Sequence, residues 1–249
     1  MLKSRTALVS LPTVLLFCAC LLIIGTRSQA FAQQYNRPAA QEYYEAGLKL
    51  LKEESYRKAL EQAESAFQVD RDFAPAWLLK SNALVGLFKQ EYKKNSGPNK
   101  NNQKAFLRLK EAADSLGRYI RLVPAAPDAE AMREAYSALL IYGQLAEADE
   151  PSRTLFRPAE VDTKARIRHR PMPSMPEKAR EAGAQGAVVL LGVLDKDGTI
   201  RHLMVIEPMG YGLTEACLEA ARRTEFTPAI KNGQPVSTLL QMEYNFNLY

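Results

Sequence analysis

The chain is poor in the residues that carry most catalytic and metal-binding chemistry. Its 249 residues include only two histidines, His169 and His202, and three cysteines. Because Cys18 and Cys20 lie in an apolar N-terminal stretch, Cys217 stands alone in the remaining chain, which excludes an internal disulfide and a cysteine zinc site there. Glycine-rich phosphate loops and metal-ligand motifs are also missing from the sequence. We therefore predict that the protein is not an enzyme and holds no cofactor or metal ion.

An excess of charge of one sign is also missing from the body of the chain. The formal net charge is +5, but Lys3, Arg5 and Arg27 supply three of these charges at the N-terminus, where no acidic residue offsets them. The rest of the chain is close to neutral, so its composition does not indicate a nucleic-acid-binding protein.

The N-terminus has the pattern of an export signal. Lys3 and Arg5 precede an uncharged run from Thr6 to Gly25, and the small-x-small triplet Ala30-Phe31-Ala32 follows. Residues 1–32 are therefore predicted to be a signal peptide cleaved after Ala32 or, alternatively, a signal anchor spanning the inner membrane. In both cases the rest of the chain is expected in the periplasm of a Gram-negative cell.

Residues 41–146 contain a helical repeat of 34 residues. Tyr43 and Trp77 are one period apart, and small residues at Ala59, Ala63 and Ala66 allow close helix packing. This spacing resembles tetratricopeptide (TPR) repeats. The second unit is predicted to have a helix over Pro75–Tyr92, a polar insertion over Asn95–Asn102 and a second helix from Gln103, and a final helix over Asp128–Ala146 caps the stack. The region is predicted either to bind an unidentified protein partner or to be a helical spacer.

Residues 147–170 are predicted to be a linker. Proline interrupts this segment, and its basic run Lys164–Arg170 has five cationic or near-cationic side chains. Such a run is typical of a solvated tether, with contact to lipid headgroups, an acidic partner or peptidoglycan as the alternative.

The last 79 residues, 171–249, predict a small module with the order α-β-β-α-β. Asp195 and Asp197 are predicted to be turn residues whose side chains accept main-chain N–H groups. The predicted elements are a short helix over Glu177–Ala182, strands over Ala187–Leu194 and Thr199–Glu207 joined by that turn, a helix over Leu213–Arg223 and a strand over Val236–Phe246.

An ordered set of residues in this module resembles the C-terminal domain of the TonB family of energy transducers. The set comprises Pro173, Pro176, Ala179, Gly186, the strand Val188–Asp195, Gly198, Leu213, Ala216, Ala220, Phe226, Pro228, Gly233-Gln234-Pro235-Val236, Tyr244 and Phe246. The predicted fold class is thus α+β: a signal or anchor, all-α TPR-like repeats, and a TonB-type domain with a three-stranded antiparallel sheet.

The resemblance implies that the domain binds outer-membrane TonB-dependent receptors. In that family a short extended peptide pairs with the last strand, here Gln234–Asn247, and the segment His169–Met175 helps to hold it. Homodimerisation through the same edge is the alternative. The candidate partner-binding residues are Met172, Ser174, Met175, Val236, Thr238, Leu240, Met242, Tyr244 and Phe246.

The sequence departs from the TonB family in the parts that couple the protein to an ExbB/ExbD-type motor. Residues 6–25 contain Ser10 but lack the histidine of the family's anchor, and helical repeats replace its long proline-rich spacer. Two hypotheses follow: a periplasmic TonB-like energy transducer or adaptor, and a periplasmic TPR scaffold that binds proteins without coupling to the proton-motive force.

Overall fold

The computed structural model describes residues 38–95, 97–98, 102–147 and 152–247. The predicted signal or anchor lies outside these ranges. The N-terminal region is helical, as the repeat pattern predicted, and a sheet domain follows, which confirms the α+β class. The helices are α1 (Pro38–Lys52), α2 (Tyr56–Val69), α3 (Ala74–Lys94), α4 (Gln103–Leu122) and α5 (Ala129–Gly143), and a 3₁₀ turn (Gln144–Ala146) follows α5.

Small residues bring successive helices of this region together. Ala59, Ala63 and Ala66 on α2 are fully buried, and a Cβ at Gly86 of α3 would lie only 2.2 Å from the ring of Tyr56 on α2. Each helix packs on the next, from α1 to α5. The small residues are thus needed because backbones approach closely at these positions.

The C-terminal domain adds two helices and most of the strands. Its elements are β1 (Leu155–Phe156), β2 (Arg166–His169), α6 (Glu177–Glu181), β3 (Gly186–Leu194), β4 (Ile200–Glu207), α7 (Leu213–Arg222), β5 (Glu225–Thr227), β6 (Ala229–Lys231) and β7 (Gln234–Phe246). The turn between β3 and β4 forms as predicted, because Asp195 accepts from the N–H of Asp197, and Asp197 accepts from the N–H of Thr199. Hydrogen bonds from the hydroxyl of Thr199, from the guanidinium of Arg201 and from the N–H of Thr199 lower the pKa of Asp197 to about 2.

The prediction of a three-stranded antiparallel sheet was wrong. Among the described residues the sheet has five strands, in the order β1-β7-β3-β4, with β6 also paired to β7. β1 runs parallel to β7, whereas β3 is antiparallel to both β4 and β7. β2 and β5 form a separate antiparallel pair. The additional strands have two to four residues, too few for a periodicity to appear in the sequence.

The sheet is covered on both faces. On one face, Val188, Leu190, Met242 and Tyr244 pack with Cys217 of α7 in one apolar cluster. On the other face the sheet shares a cluster with the helical region, whose members include Tyr92, Phe106, Leu109, Tyr142 and Leu145 from the helices and Leu155, Val189, Leu191, Val193, Met204, Ile206 and Leu239 from the strands. The helices, the sheet and α7 are therefore three layers of one structure.

Candidate partner-binding edge

Strand β7 has one edge that is only partly paired. On one side it pairs with β3 along nine residues without a register shift, from Phe246 opposite Gly186 to Thr238 opposite Leu194. On the other side β1 pairs with Ser237 and Thr238. Beyond Thr238, the described part of the chain places no strand against this side. We call Leu239–Phe246 the open edge, because unpaired main-chain groups there are available to another strand.

The opposite edge of the sheet is less suited to a new strand. β4 forms it, and the pairing of β4 with β3 is interrupted by two register shifts. His202 of β4 has a φ of +52°, and its carbonyl already accepts a hydrogen bond from the hydroxyl of Tyr142 at 2.5 Å. Bulges of this kind discourage strand addition because they twist an edge and interrupt its hydrogen-bonding pattern.

The predicted site residues on β7 mostly point into the core. Thr238, Met242, Tyr244 and Phe246 are buried, and Val236 and Leu240 are half-buried. Because side chains alternate along a strand, the other set, Gln241, Glu243 and Asn245, lies on the opposite face. The open edge therefore offers its backbone to a partner, and most of the predicted side chains hold the strand in place.

The predicted residues before α6 lie near the surface. Met172 is 79% exposed and Ser174 is also exposed, while Met175 is half-buried and packs against the cluster beneath α7. The structure does not bring these three side chains into any hydrogen bond with the open edge among the contacts it describes.

Arg170, which lies in the predicted peptide-holding segment His169–Met175 but was not among the candidate binding residues, contacts the open edge directly. Its Nη2 donates to the carbonyl oxygen of Glu243, and its guanidinium carbon lies 4.3 Å from the ring centroid of Tyr244. The carbonyl of Glu243 thus faces away from β3, and by the two-residue period of a strand the main-chain groups of Gln241 and Asn245 do so as well. The contact of Arg170 with Glu243 was not predicted, because no pattern in the sequence indicates it.

Within its described residues, the segment between the helices and α6 is held against both the helices and the sheet. Arg157, which is buried, donates to the carbonyl of Leu145 at 2.7 Å and lies 3.5 Å from the carboxylate of Glu160. Further along, Thr163 and Ile230 form a β-bridge. The segment therefore fixes the position of β1, and with it the start of the open edge.

Two buried tyrosines connect the helical layer to the sheet. Tyr92 of α3 donates to Oε1 of Gln241 at 3.1 Å, and Tyr142 of α5 donates to the carbonyl of His202. Burial raises the pKa of both phenols, so both keep their protons for these bonds. The open edge and the helices are thus fixed relative to each other.

Burial of His202 predicts a stability that falls on acidification. Its pKa is lowered, chiefly because burial disfavours the charged ring and secondarily by the charge of Arg201, while Asp195 opposes the shift. Between this lowered pKa and the ordinary value of about 6.5, the unfolded chain binds more protons than the folded one. The free energy of unfolding should therefore fall as the pH drops below about 7.

The substitution His202→Asn should reduce this pH dependence, since asparagine tolerates a positive φ and does not titrate. Urea unfolding midpoints between about pH 5 and pH 7.5 would measure it, with His169→Asn, at an exposed position, as the matched control. An unchanged pH profile in His202→Asn would contradict the assignment of this pH dependence to His202.

The described residues give no indication of a metal centre or a membrane span. No group of three or more His, Cys, Asp or Glu side chains within them could hold a metal ion. In the same ranges, no helix is both long and apolar enough to cross a membrane.

The fold and the open edge define a class of protein: a helical layer joined to a small α+β domain that has one strand available for pairing. Residues 171–248 match the family model of the Gram-negative bacterial TonB protein C-terminal. The match supports a TonB-family C-terminal domain at these residues, and it confirms the resemblance seen in the sequence for this segment. The match covers less than half of the chain, and no curated protein matches the chain significantly.

Proposed function

We propose that the protein is a periplasmic adaptor or energy transducer that binds outer-membrane receptor peptides by strand addition. The observation that supports this most directly is the open edge, a straight run of eight residues in a domain of the TonB type. An extended peptide would pair with the outward main-chain groups of Gln241, Glu243 and Asn245. Hydrogen bonds to the backbone would give affinity, and alternate side chains would give selectivity.

The other parts of the proposed function depend on the helical repeats and on the N-terminal segment. The helical repeats, taken as a TPR-like domain over 41–146, are proposed to bind a second protein partner. Export to the periplasm and contact with an ExbB/ExbD-type motor depend on residues 1–32, which lie outside the described ranges. If the motor contact is missing, the protein is a scaffold that binds receptors without coupling to the proton-motive force.

Hydrogen exchange in the presence of an extended receptor peptide tests the strand addition. We expect the amides of Gln241, Glu243 and Asn245 to gain protection, because these N–H groups face the added strand. The amides of Met242 and Tyr244 should change little, because they already face β3. A peptide that is N-methylated at alternate residues should have no effect, since it cannot complete the ladder.

The substitution Glu243→Pro should prevent strand addition from the side of the protein, as N-methylation does from the side of the peptide. Proline removes one outward N–H group and is tolerated on an edge strand, whereas the matched control Glu243→Ala keeps the backbone donor. We expect peptide binding to be lost in Glu243→Pro and retained in Glu243→Ala, with both variants folded by tryptophan fluorescence. Equal binding by the two variants would reject the proposal. A dimer without peptide that dissociates in Glu243→Pro would instead indicate that the edge pairs with a second copy.

A further inference from the structure

A cavity of about 410 Å³ lies where the helical layer meets one end of the sheet. Its walls come from α5, from the segment that leads into β1, from the turn after β3, from β4 and from the first residues of β7. The last lining residue on β7 is Ser237, two residues before the open edge begins. A cavity of this size is typical of sites that bind small organic molecules.

Much of the wall of this cavity is apolar. Leu155 of β1 and Val193 of β3 are buried, and half-buried side chains beside them are Ile141 of α5, Phe156 of β1 and Val236 of β7. The apolar part of a ligand would leave water on contact with these side chains. This transfer is the main source of affinity in such sites.

The polar part of the wall includes the ring of His202, which has no hydrogen-bonding partner. His202 lies at a register shift between β3 and β4 and has a φ of +52°. A bulge of this kind can re-aim a side chain out of the alternation of its strand. Within the ranges that the structure describes, the carbonyl of His202 accepts from Tyr142, but the ring of this half-buried residue makes no hydrogen bond. An acceptor on a ligand would satisfy the N–H group of this ring.

The carboxylates at the cavity already have cationic partners, whereas one cation of the lining does not. Lys196 is an exposed lining residue, and no carboxylate in the described part of the chain is within ion-pair distance of its ammonium group. This group is therefore available to an anion. The ion pairs at the cavity are Asp195 and Asp197 with Arg201, at 3.4 and 2.6 Å, Glu160 with Arg153, at 3.1 Å, and Glu147 with Lys110.

These features favour a ligand that has an apolar body and one anionic end. A carboxylate can accept from both the ammonium of Lys196 and the N–H group of His202, and such charge-assisted bonds are stronger than neutral ones. A cationic end is disfavoured, because it would lie beside Lys196 while Asp195, the acidic residue of the lining, is paired with Arg201.

We infer that this cavity is a binding site for a small amphipathic carboxylate, with its apolar body against Val193 and Val236 and its carboxylate at Lys196 and His202. The site is separate from the open edge and goes beyond the function proposed above. Strand addition at the open edge and ligand binding in the cavity can therefore fail independently.

Nuclear magnetic resonance of the histidine rings tests the inference at the site itself, because the chain has two histidines. The ring signals of His202 are followed at about pH 7.5, where the ring is neutral, while octanoate is added to the full-length protein. The exposed His169 is the internal control, and His169→Asn assigns the signals. The matched neutral and cationic probes are 1-octanol and octylamine.

We expect octanoate to shift the signals of His202 to saturation and to leave those of His169 unchanged. 1-Octanol should bind about fivefold more weakly, because it lacks the charge that the exposed Lys196 attracts. Octylamine should give no saturable shift, because its charge has the same sign as that of Lys196.

Lys196→Met keeps the length of the side chain and removes the ammonium group. It should weaken octanoate about fivefold and leave 1-octanol unchanged. Lys178→Met, at an exposed lysine of α6 on the other face of the sheet, is the matched control and should change neither affinity. Val236→Phe fills part of the cavity and should weaken both probes about tenfold or more. Far-ultraviolet circular dichroism would check that the variants are folded.

Three results would overturn the inference. The absence of a saturable shift of His202 with octanoate would reject the site. Equal affinities for octanoate and octylamine, or an unchanged affinity for octanoate in Lys196→Met, would reject recognition of the carboxylate. Equal weakening of octanoate by Lys178→Met and Lys196→Met would show attraction to the overall charge of the protein in place of a contact in the cavity.

Discussion

The substitution Leu191→Ala in the sheet is expected to lower the free energy of unfolding by about 2–5 kcal/mol. It should also lower the unfolding midpoint that a tryptophan in the helices reports. Leu191 is fully buried, in the cluster that joins strand and helix side chains. Trp77 is the only tryptophan and lies on α3, with its ring 4.2 Å from that of Phe67 on α2. Because one core joins the two parts, they should unfold in a single cooperative step.

Urea unfolding followed by Trp77 fluorescence and by far-ultraviolet circular dichroism would measure this coupling. Both signals should give the same lowered midpoint for Leu191→Ala. The control Leu140→Ala, at a side chain of α5 that is 45% exposed, should change stability by less than about 0.5 kcal/mol. A fluorescence midpoint that stays in place while the dichroism midpoint shifts would show that the sheet and the helices unfold independently.

Gly86→Ala is expected to destabilise the protein by about 1–3 kcal/mol or more, although alanine is the better helix former by about 1 kcal/mol. The added Cβ would lie 2.2–2.5 Å from three ring carbons of Tyr56. Tyr56 is itself buried, so its ring has little room to move aside. The steric cost should therefore exceed the gain in helix propensity.

A second substitution separates this steric effect from other causes. Tyr56→Leu removes the ring, so the cost of Gly86→Ala should be smaller in that background than in the unsubstituted protein. Gly117→Ala is a useful comparison, because its Cβ would meet only the ends of Tyr136 and Arg121 side chains, at 3.0 Å and beyond. It should cost less than Gly86→Ala. Thermal unfolding of Gly86→Ala, Tyr56→Leu, the double variant and Gly117→Ala would measure these losses of stability. If Gly86→Ala destabilises the protein equally with and without the Tyr56 ring, the steric explanation is wrong.

The long elements of this fold could be predicted from the sequence because each has a pattern of its own. The 34-residue spacing predicted a helical region before the sheet, and α4 begins at Gln103, where the polar insertion was predicted to end. β3 was predicted as a buried strand from its apolar run, and it is buried along nearly its whole length. In these segments local sequence and tertiary packing agree.

The short strands could not be predicted, because their pairing is set by distant partners. β1 has two residues, and what orders it is β7, far along the chain. β5 and β6 are three residues each, on either side of Pro228. Whether tetratricopeptide is the right description of the helices stays a prediction, since the pattern fits and no comparison tests it.

The sequence predicted strand β7, but not which of its side chains are buried. The alternation in β7 separates two sets of side chains without showing which set faces the core, and the set Met242, Tyr244 and Phe246 turned out to be buried. The contact of Arg170 with Glu243 could not be predicted, because it depends on the path of the chain before α6.

The parallel pairing of β1 with β7 bears on how the C-terminal domain can be exchanged between proteins. The family match begins at residue 171, yet β1 and β2 come before that point and pair with strands inside the matched segment. The segment that matches the family model is therefore shorter than the folded domain, which also includes β1 and β2. In this chain the segment before residue 171 adds two strands to the TonB-type domain, so a chimera that exchanges the domain at Pro171 would separate β1 from β7 and β2 from β5.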